Sequence, residues 1–489
     1  METSKTIDAP SLLIGGEEYR SDDSLAVRNP HDGSLVGHAP AADGEQAQAA
    51  VAAAEAAWPA WSGLPAVERV EQLLDALPGL ELDVEQRAEL LVREHGKVLA
   101  EARLEMRVFV ARFHQAASFA RELDSAERIA GPPFDTTVAQ VPQGVVTIIV
   151  PFNWPLAILG AALPYALMAG NTVIVKPPPS TPLSMLATLR HLTRALPAGV
   201  LNVVSGRDEV LGPVLVGDSR IRHVCFTGSV AAGSRIMQMA APNITNVTLE
   251  LGGNDAAVVL DDARLDEAAF ARLAVAAFRT TGQVCMAIKR LYVPRTRFDE
   301  VVDGMRAALE STRVGSGLDP EVTMGPLNSS RQRDYVAELC DEARRSGAET
   351  IELGTLLRVD SRVGNHMLPT LVLDPEPQLR IVREEQFGPA LPVIAYETEA
   401  GAITQANDSW AGLCSSVWSE DPEHAMAVGR QMRTGVTFFN NHNAVAVDER
   451  APFGGMRQSG IGREMGRGGL HTFTETHVLS VPTRCSAPT

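Results

Sequence analysis

Acyl chemistry needs a nucleophile and a base, and the chain offers one of each beside glycines. Cys285 lies in TTGQVCMAIKR, just after a helical pattern that ends near Gly282. A thiol in such a place has its thiolate favoured by nearby backbone dipoles. Cys225 and Cys414 sit among apolar neighbours and read as inert core residues. Glu250 ends the apolar run NVTLE directly before Leu251-Gly252-Gly253. Glycines give a carboxylate backbone swing and close approach to a ligand, which suits a general base that activates water; a carboxylate at a domain edge is the plainer reading. Asn153, in the FNWP segment after VVTIIV, brings two N–H donors to a strand end. Alone it reads first as an Asx turn before proline.

A second group of residues suits a nucleotide. Lys176 ends TVIVK and is followed by Pro177, Pro178 and Pro179, which fix the backbone and withhold further donors from a sheet. A cation held there reaches ribose hydroxyls, although an edge lysine in solvent would look the same. In FTGSVAAGSR, Gly228 and Gly233 stand between a strand and a helix, so the N–H groups and positive helix end face a pyrophosphate. Ser234 rather than Lys follows the second glycine, so this is not a P-loop, and it is not a G-x-G-x-x-G fingerprint either. As an isolated turn it is only a tight connection.

The elements that must position these residues show in the pattern. GEQAQAAVAAAEAAW is rich in helix formers and is expected to end before Pro59, with Trp58 and Trp61 packing beneath; a second helical pattern starts near Val67. Between Gly144 and Gly252, the runs VVTIIV, TVIVK, LNVV, IRHVCF and NVTLE read as buried parallel strands. Crossover helices start at Pro155, Pro182, Asp208 and Val230. Such a sheet binds ligands beyond the carboxyl ends of its strands. A second α/β unit follows Gly253, with AAVVL, a helix from Leu265 to Phe278 and the strand RLYV. ERIAGPPFDTTVAQVP and HTFTETHVLSVP alternate like strands that extend a sheet across a subunit contact. The fold class is α/β, with two open α/β sheets and a small β oligomerisation element.

Composition narrows the function classes. The chain has 489 residues, 45% hydrophobic and 21% charged, and a formal net charge of -17. That balance belongs to a globular protein of two or three domains and disfavours nucleic acid as a partner. METSKTIDAPSLLIGG does not read as a secretory signal and no apolar run is long enough for a bilayer, so the expectation is a cytoplasmic protein without a membrane partner. Cys225, Cys285, Cys340, Cys414 and Cys485 are scattered without a CxxC pair, which gives neither a disulfide framework nor a zinc site. His442 between Asn441 and Asn443 lacks metal-ligand spacing. No metal is expected.

PFNWP, VKP, FTGS with its later glycine, LELGG, GQVC, EEQFGP and PFGG-x-R-x-SG-x-GRE occur in one order across essentially the whole chain. In that order and spacing the sequence resembles the aldehyde dehydrogenase superfamily. The resemblance implies oxidation of an aldehyde to a carboxylic acid with NAD, or NADP, through a thiohemiacetal and thioester on Cys285. It makes Cys285 the nucleophile, Glu250 the base for hydrolytic water, and Asn153 with the Cys285 N–H the oxyanion site. Lys176 and Ser229 bind cofactor ribose and phosphate, and Glu385 with Phe387 holds the nicotinamide ribose. Phe152, Trp154, Pro179, Gly228, Gly233 and Leu251 lie along the cofactor. Trp154, Ile158, Val284, Met286 and Phe439 are expected to line a mainly apolar substrate channel, with Arg279 and Arg450 able to reach a carboxylate.

The implied domains are 1–123 with 142–252 for the dinucleotide, 253–455 for catalysis, and 124–141 with 456–489 for a homodimer or homotetramer contact and tail. Pro179 stands where many NAD-preferring relatives carry a Glu for the adenosine ribose. Arg457 and Arg279-Thr280-Thr281 also depart from the common pattern. A coenzyme A-acylating semialdehyde dehydrogenase and a non-catalytic binding protein on the same fold are the alternatives; a retained Glu250 speaks against the first and an intact Cys285, Glu250 and Asn153 against the second.

Overall fold

A computed structural model describes residues 10–360 and 363–483; Cys485 and the first nine residues of the N-terminal segment lie outside them. The Val- and Ile-rich runs become parallel strands because both faces are covered, so most positions along them are buried and apolar. Five of them lie side by side in the order Leu201–Val203, Thr172–Lys176, Val145–Ile149, Ile221–Thr227 and Asn246–Glu250. Leu12–Ile14 with Glu17–Tyr19 extends one edge antiparallel, and Gly460–Ile461 extends the other. The strand order reverses at Val145–Ile149, the place where an open sheet leaves a crevice beyond its carboxyl ends.

The crossover helices Pro155–Met168, Leu183–Ala195, Asp208–Leu215 and Val230–Ala240 start where the sequence places them. The helix Gly44–Ser62 differs, because it runs through Pro59 instead of stopping before it. Pro59 is exposed, so water replaces the lost helical bond, and the continuing turn buries Trp61, whose indole N–H donates to Leu167 O at 3.0 Å.

The second sheet has the order Glu349–Glu352, Thr370–Leu373, Ala390–Tyr396, Ile288–Pro294, Asp255–Val259, Cys414–Trp418 and Val436–Phe439, parallel except for its first member. A third, small sheet pairs Thr474–Pro482 with Phe134–Pro142 and Glu127–Ile129. The stretch 456–473, expected with that small element, goes elsewhere. Gly460–Ile461 joins the first sheet, and Gly466–His471 packs on the helices Leu99–Ala120 and Pro155–Met168. The reason is apolar: Met465, Leu470 and Phe473 are buried in the main core.

Candidate active site

The chain crosses from one sheet to the other through very few residues. Glu250 ends the strand Asn246–Glu250, and Asp255 begins Asp255–Val259. Between them, Gly252 and Gly253 allow contacts that a side chain would forbid. A Cβ on Gly252 would lie 2.2 Å from the Glu385 carboxylate, and one on Gly253 would lie 2.6 Å from the Cys285 carbonyl oxygen. The glycines therefore let base, thiol and Glu385 converge at the carboxyl edge of the first sheet and the amino edge of the second.

Cys285 follows an unusual turn. Thr280, Thr281 and Gly282 take left-handed φ values of 52°, 58° and 70°. β-Branched residues rarely hold that conformation without outside support. The support is present: the Thr280 N–H donates to Glu101 Oε1 at 3.0 Å, the Trp154 indole N–H donates to Thr280 Oγ1 at 3.0 Å, and the Thr281 hydroxyl donates to Gly325 O at 2.8 Å. Gly282 is pressed against the Gly388 backbone, where no Cβ fits. The residue Cys285 at the end of this turn is of intermediate exposure, although its thiol is enclosed enough for burial to disfavour its charge, whereas Cys225, Cys340 and Cys414 are buried.

Asn153 reaches the same turn from the first sheet. Its side-chain amide donates to Gln283 O at 2.9 Å, while its Oδ1 is buried without a hydrogen-bond partner. The loop is fixed from below. Lys97 Nζ donates to Asn153 O at 2.7 Å, pairs with Glu105 Oε2 at 2.5 Å and lies 4.1 Å from the centre of the Trp154 ring. Glu105 Oε1 in turn accepts the Leu156 N–H at 2.8 Å and the Ala157 N–H at 3.3 Å. The helix Pro155–Met168 has no capping side chain of its own at Trp154, so this carboxylate satisfies its first free donors.

Burial disfavours the charged form of both reacting groups in the ligand-free chain. Burial pushes the Cys285 thiol up to about 12; Lys289 opposes that, and Glu385, Asp255 and Glu250 add to it. Burial also raises the Glu250 carboxyl well above the carboxylate range, with Glu464 adding and Arg463 opposing. Glu464 is raised by burial too, and it accepts a hydrogen bond from the Cys225 thiol at 3.2 Å. Glu250 Oε1 has no partner. A carboxylate whose ionisation burial disfavours is a stronger base once ionised, which suits a general base.

The nucleotide edge has different contents. Lys176 is buried at its strand end, with Nζ 2.5 Å from the exposed Asp208 carboxylate. Ser229 is exposed and caps Val230–Ala240, its hydroxyl accepting the Ala232 N–H at 3.3 Å. A Cβ on Gly228 would strike the Phe226 ring, and one on Gly233 would strike Leu251, so this turn and helix start stay close to the strand ends. Pro179 is exposed. The Phe152 ring meets the Phe387 ring edge-on at 6.1 Å, and Phe387 itself takes a left-handed φ of 46°. Free N–H groups at a helix start, a buried cation and a carboxylate at Glu385 form a donor and acceptor set that fits a dinucleotide.

Of the expected channel residues, Ile158 and Met286 pack with Cys285 against one apolar cluster, and Val284 is buried beside the thiol. Phe439 is placed differently. Successive residues on a strand face opposite ways. Phe438 joins the cluster that holds Cys285, so the Phe439 ring turns away and packs on Gly429. Arg450 pairs with Asp448 at 2.7 Å, and Arg279 lies 3.6 Å from Glu101 and 5.2 Å from the centre of the Trp154 ring. Sequence reasoning missed Lys97, Glu105, Glu464 and Lys289. Glu464 lies inside the quoted GRE and Lys289 inside the quoted TTGQVCMAIKR, close in the chain to the carbonyls it binds, whereas Lys97 and Glu105 are ordinary charged letters whose contacts with Asn153 and the helix Pro155–Met168 are distant in the chain.

Comparison with known proteins agrees with this geometry. A sequence profile described as the aldehyde dehydrogenase family matches residues 18–479. The NADP(+) succinate-semialdehyde dehydrogenase of Escherichia coli is 34% identical over 474 residues, spanning 96% of this chain and 97% of that protein. Geranial dehydrogenase of Castellaniella defragrans is 36% identical over 475 residues, 94% of this chain and 96% of its own. The crystal structure of a putative aldehyde dehydrogenase from Burkholderia cenocepacia superposes with a TM-score of 0.93 at 34% identity, covering 98% of this chain and 99% of that one.

Proposed function

The chain belongs to the aldehyde dehydrogenase family, and from that premise we propose which of its residues perform the reaction. The protein oxidises an aldehyde to a carboxylic acid with NAD or NADP. Cys285 is the nucleophile: its thiol gives its proton to solvent, the thiolate sulfur adds to the carbonyl carbon, and the carbonyl oxygen becomes an oxyanion taken up by the Asn153 amide and the Cys285 N–H. One oxyanion donor contributes about 3–4 kcal/mol of transition-state stabilisation. The nicotinamide supplies the acceptor for the hydride that leaves that carbon, and the acyl group stays on sulfur as a thioester. Glu250 then takes a proton from water, the resulting hydroxide adds to the thioester, and the tetrahedral adduct expels the thiolate and releases the acid. The single observation that supports these roles best is the approach of the Glu385 carboxylate and the Cys285 backbone to Gly252-Gly253, which begins two residues after Glu250.

Lys176, Ser229, Gly228, Gly233 and Leu251 are assigned to the adenosine half of the cofactor, and Phe152, Glu385 and Phe387 to the nicotinamide half. An exposed proline at 179 offers no carboxylate to a ribose. It therefore presents no charge against a 2′-phosphate, which supports use of NADP as well as NAD. The coenzyme A-acylating alternative is not favoured.

The substrate assigned to this chain is a neutral, apolar aldehyde. Ile158 and Met286 supply apolar walls, Trp154 an aromatic one, and the charge of Arg279 is answered by Glu101. The relatives' names span a succinate semialdehyde and geranial, so an aldehyde panel with each cofactor is the discriminating assay. Turnover confined to carboxylate-bearing semialdehydes would overturn the assignment.

Among the described residues no helix is long and apolar enough to cross a membrane. A cytoplasmic homodimer or homotetramer, joined through the small sheet with its exposed Ile129, Phe134, Val478, Leu479 and Val481, completes the reading. The decisive experiment on the chemistry is a pair of variants. Cys285→Ala is expected to abolish aldehyde oxidation. Glu250→Gln is expected to form acyl-enzyme in a first burst and then turn over about 10²–10⁴-fold more slowly. Wild-type oxidation by Cys285→Ala would end the scheme.

A further inference from the structure

A third buried ammonium, after Lys97 and Lys176, lies against the nucleophile turn. Lys289 is the second residue of the strand Ile288–Pro294 and only 2% exposed. Its Nζ donates to Val284 O at 2.9 Å, to Cys285 O at 2.5 Å and to Ala287 O at 3.4 Å. Three backbone carbonyls of the nucleophile turn thus converge on one side chain; Val284 O also accepts the Ala287 N–H at 3.1 Å, so a residue without donors there would cost chiefly the bonds to Cys285 O and Ala287 O. The same Nζ lies 3.5 Å from Glu385 Oε1, which also accepts the Gly253 N–H at 3.1 Å. Lys289 therefore links the nucleophile turn, the glycine crossing between the sheets and the loop that carries Glu385.

The charges around the sulfur explain why a cation belongs at this place. Glu385 faces it from the loop before Ala390–Tyr396, Asp255 from the start of Asp255–Val259 and Glu250 from the end of Asn246–Glu250, while Cys414 adjoins it from the start of Cys414–Trp418. Negative charge on the three carboxyl groups opposes ionisation of the thiol. Lys289 is the cation that acts against them.

We propose that Lys289 is a positioning residue for the reaction: its charge, and not only its hydrogen bonds, keeps Cys285 reactive and holds the Glu385 carboxylate against the nucleophile turn. The proposal rests on Cys285 being the nucleophile. It adds a determinant of that sulfur's reactivity that never touches substrate.

The test reads the sulfur directly, by rates of iodoacetamide alkylation of the full-length, cofactor-free protein from neutral to mildly alkaline pH, with peptide mapping to follow Cys285 alone. Lys289→Met is expected to alkylate more slowly by on the order of tenfold at every pH, as loss of a unit charge a few ångströms away requires. Lys289→Gln keeps donors for the carbonyls and loses the charge, so it is expected to be as slow as Lys289→Met. Glu385→Gln removes an opposing acid and is expected to be faster than wild type. Wild-type rates in Lys289→Gln would reduce the lysine to a hydrogen-bonding scaffold and overturn the proposal, as would a Glu385→Gln protein no faster than wild type. If Lys289→Met does not fold, the other two variants decide. Turnover by Cys285→Ala would sink the nucleophile assignment, whereas normal alkylation of Lys289→Gln sinks only the role of Lys289.

Discussion

Two lysines, each paired with a glutamate, flank the crevice from opposite sides, and they are built to different tolerances. Lys97 and Glu105 are fully buried, 2.5 Å apart, and every reach of the pair is used: Asn153 O, the Trp154 face and the first N–H groups of Pro155–Met168. Lys289 and Glu385 are 3.5 Å apart, and the Glu385 side chain is 20% exposed. A saturated pair cannot move without breaking several bonds at once, so it fixes the amide that must be in place before substrate arrives. A looser, partly exposed pair keeps the Glu385 carboxylate against the nucleophile turn while leaving it within reach of a ligand. The site thus separates what has to be rigid from what has to respond.

The sharpest way to break this contrast is at the rigid pair. Lys97→Met leaves Glu105 buried without its counter-charge and is expected to cost about 3–5 kcal/mol of stability, measured by denaturant unfolding. A midpoint equal to wild type would mean that the pair does not bear the loop. Next in size, Asn153→Ala should lower kcat by about 10²–10³-fold while the unfolding midpoint stays near wild type, since the main-chain bond from Lys97 to residue 153 survives the change. A large loss of stability there would show that the amide, and not the lysine, holds the loop.

The responsive side is read by pH. A thiol held up near 12 is neutral in the resting protein, so alkylation of Cys285 should rise by about tenfold per pH unit through the alkaline range and reach no plateau near the ordinary thiol value of 9. An early plateau would show that the crevice does not suppress ionisation. The smallest effect is expected at Trp154→Phe, which keeps the ring over Lys97 and loses one hydrogen bond to Thr280, worth about 1 kcal/mol. Unfolding curves that superpose on wild type would remove that bond from the account of the left-handed turn.

Local rules made much of the first sheet legible. Lys176, Ser229, Asn153 and Glu250 all follow apolar runs, and a parallel sheet gathers the ends of such runs along one edge whatever its strand order. Phe439 shows where the same reasoning slips. An aromatic pair at a strand end looks alike in sequence, and only the facing of the strand says that Phe438 turns towards the thiol's cluster and Phe439 towards Gly429. Helix rules slipped at Pro59 for a related reason, because burial of Trp61 outweighed the loss of one solvent-side hydrogen bond.

By itself the sequence determined the periodicities, the two α/β units and the identities of thiol, carboxylate and amide, since these depend on neighbours within a few positions. It could not determine that Cys285 stands at the amino edge of its own sheet, before Ile288–Pro294, and meets the carboxyl edge of the other. Nor could it pair Lys97 with Asn153, or Lys289 with Glu385 across nearly a hundred residues. Those pairings exist because an unbalanced charge or free carbonyl in a closed core is costly, and which groups are enclosed together is decided only when the sheets pack.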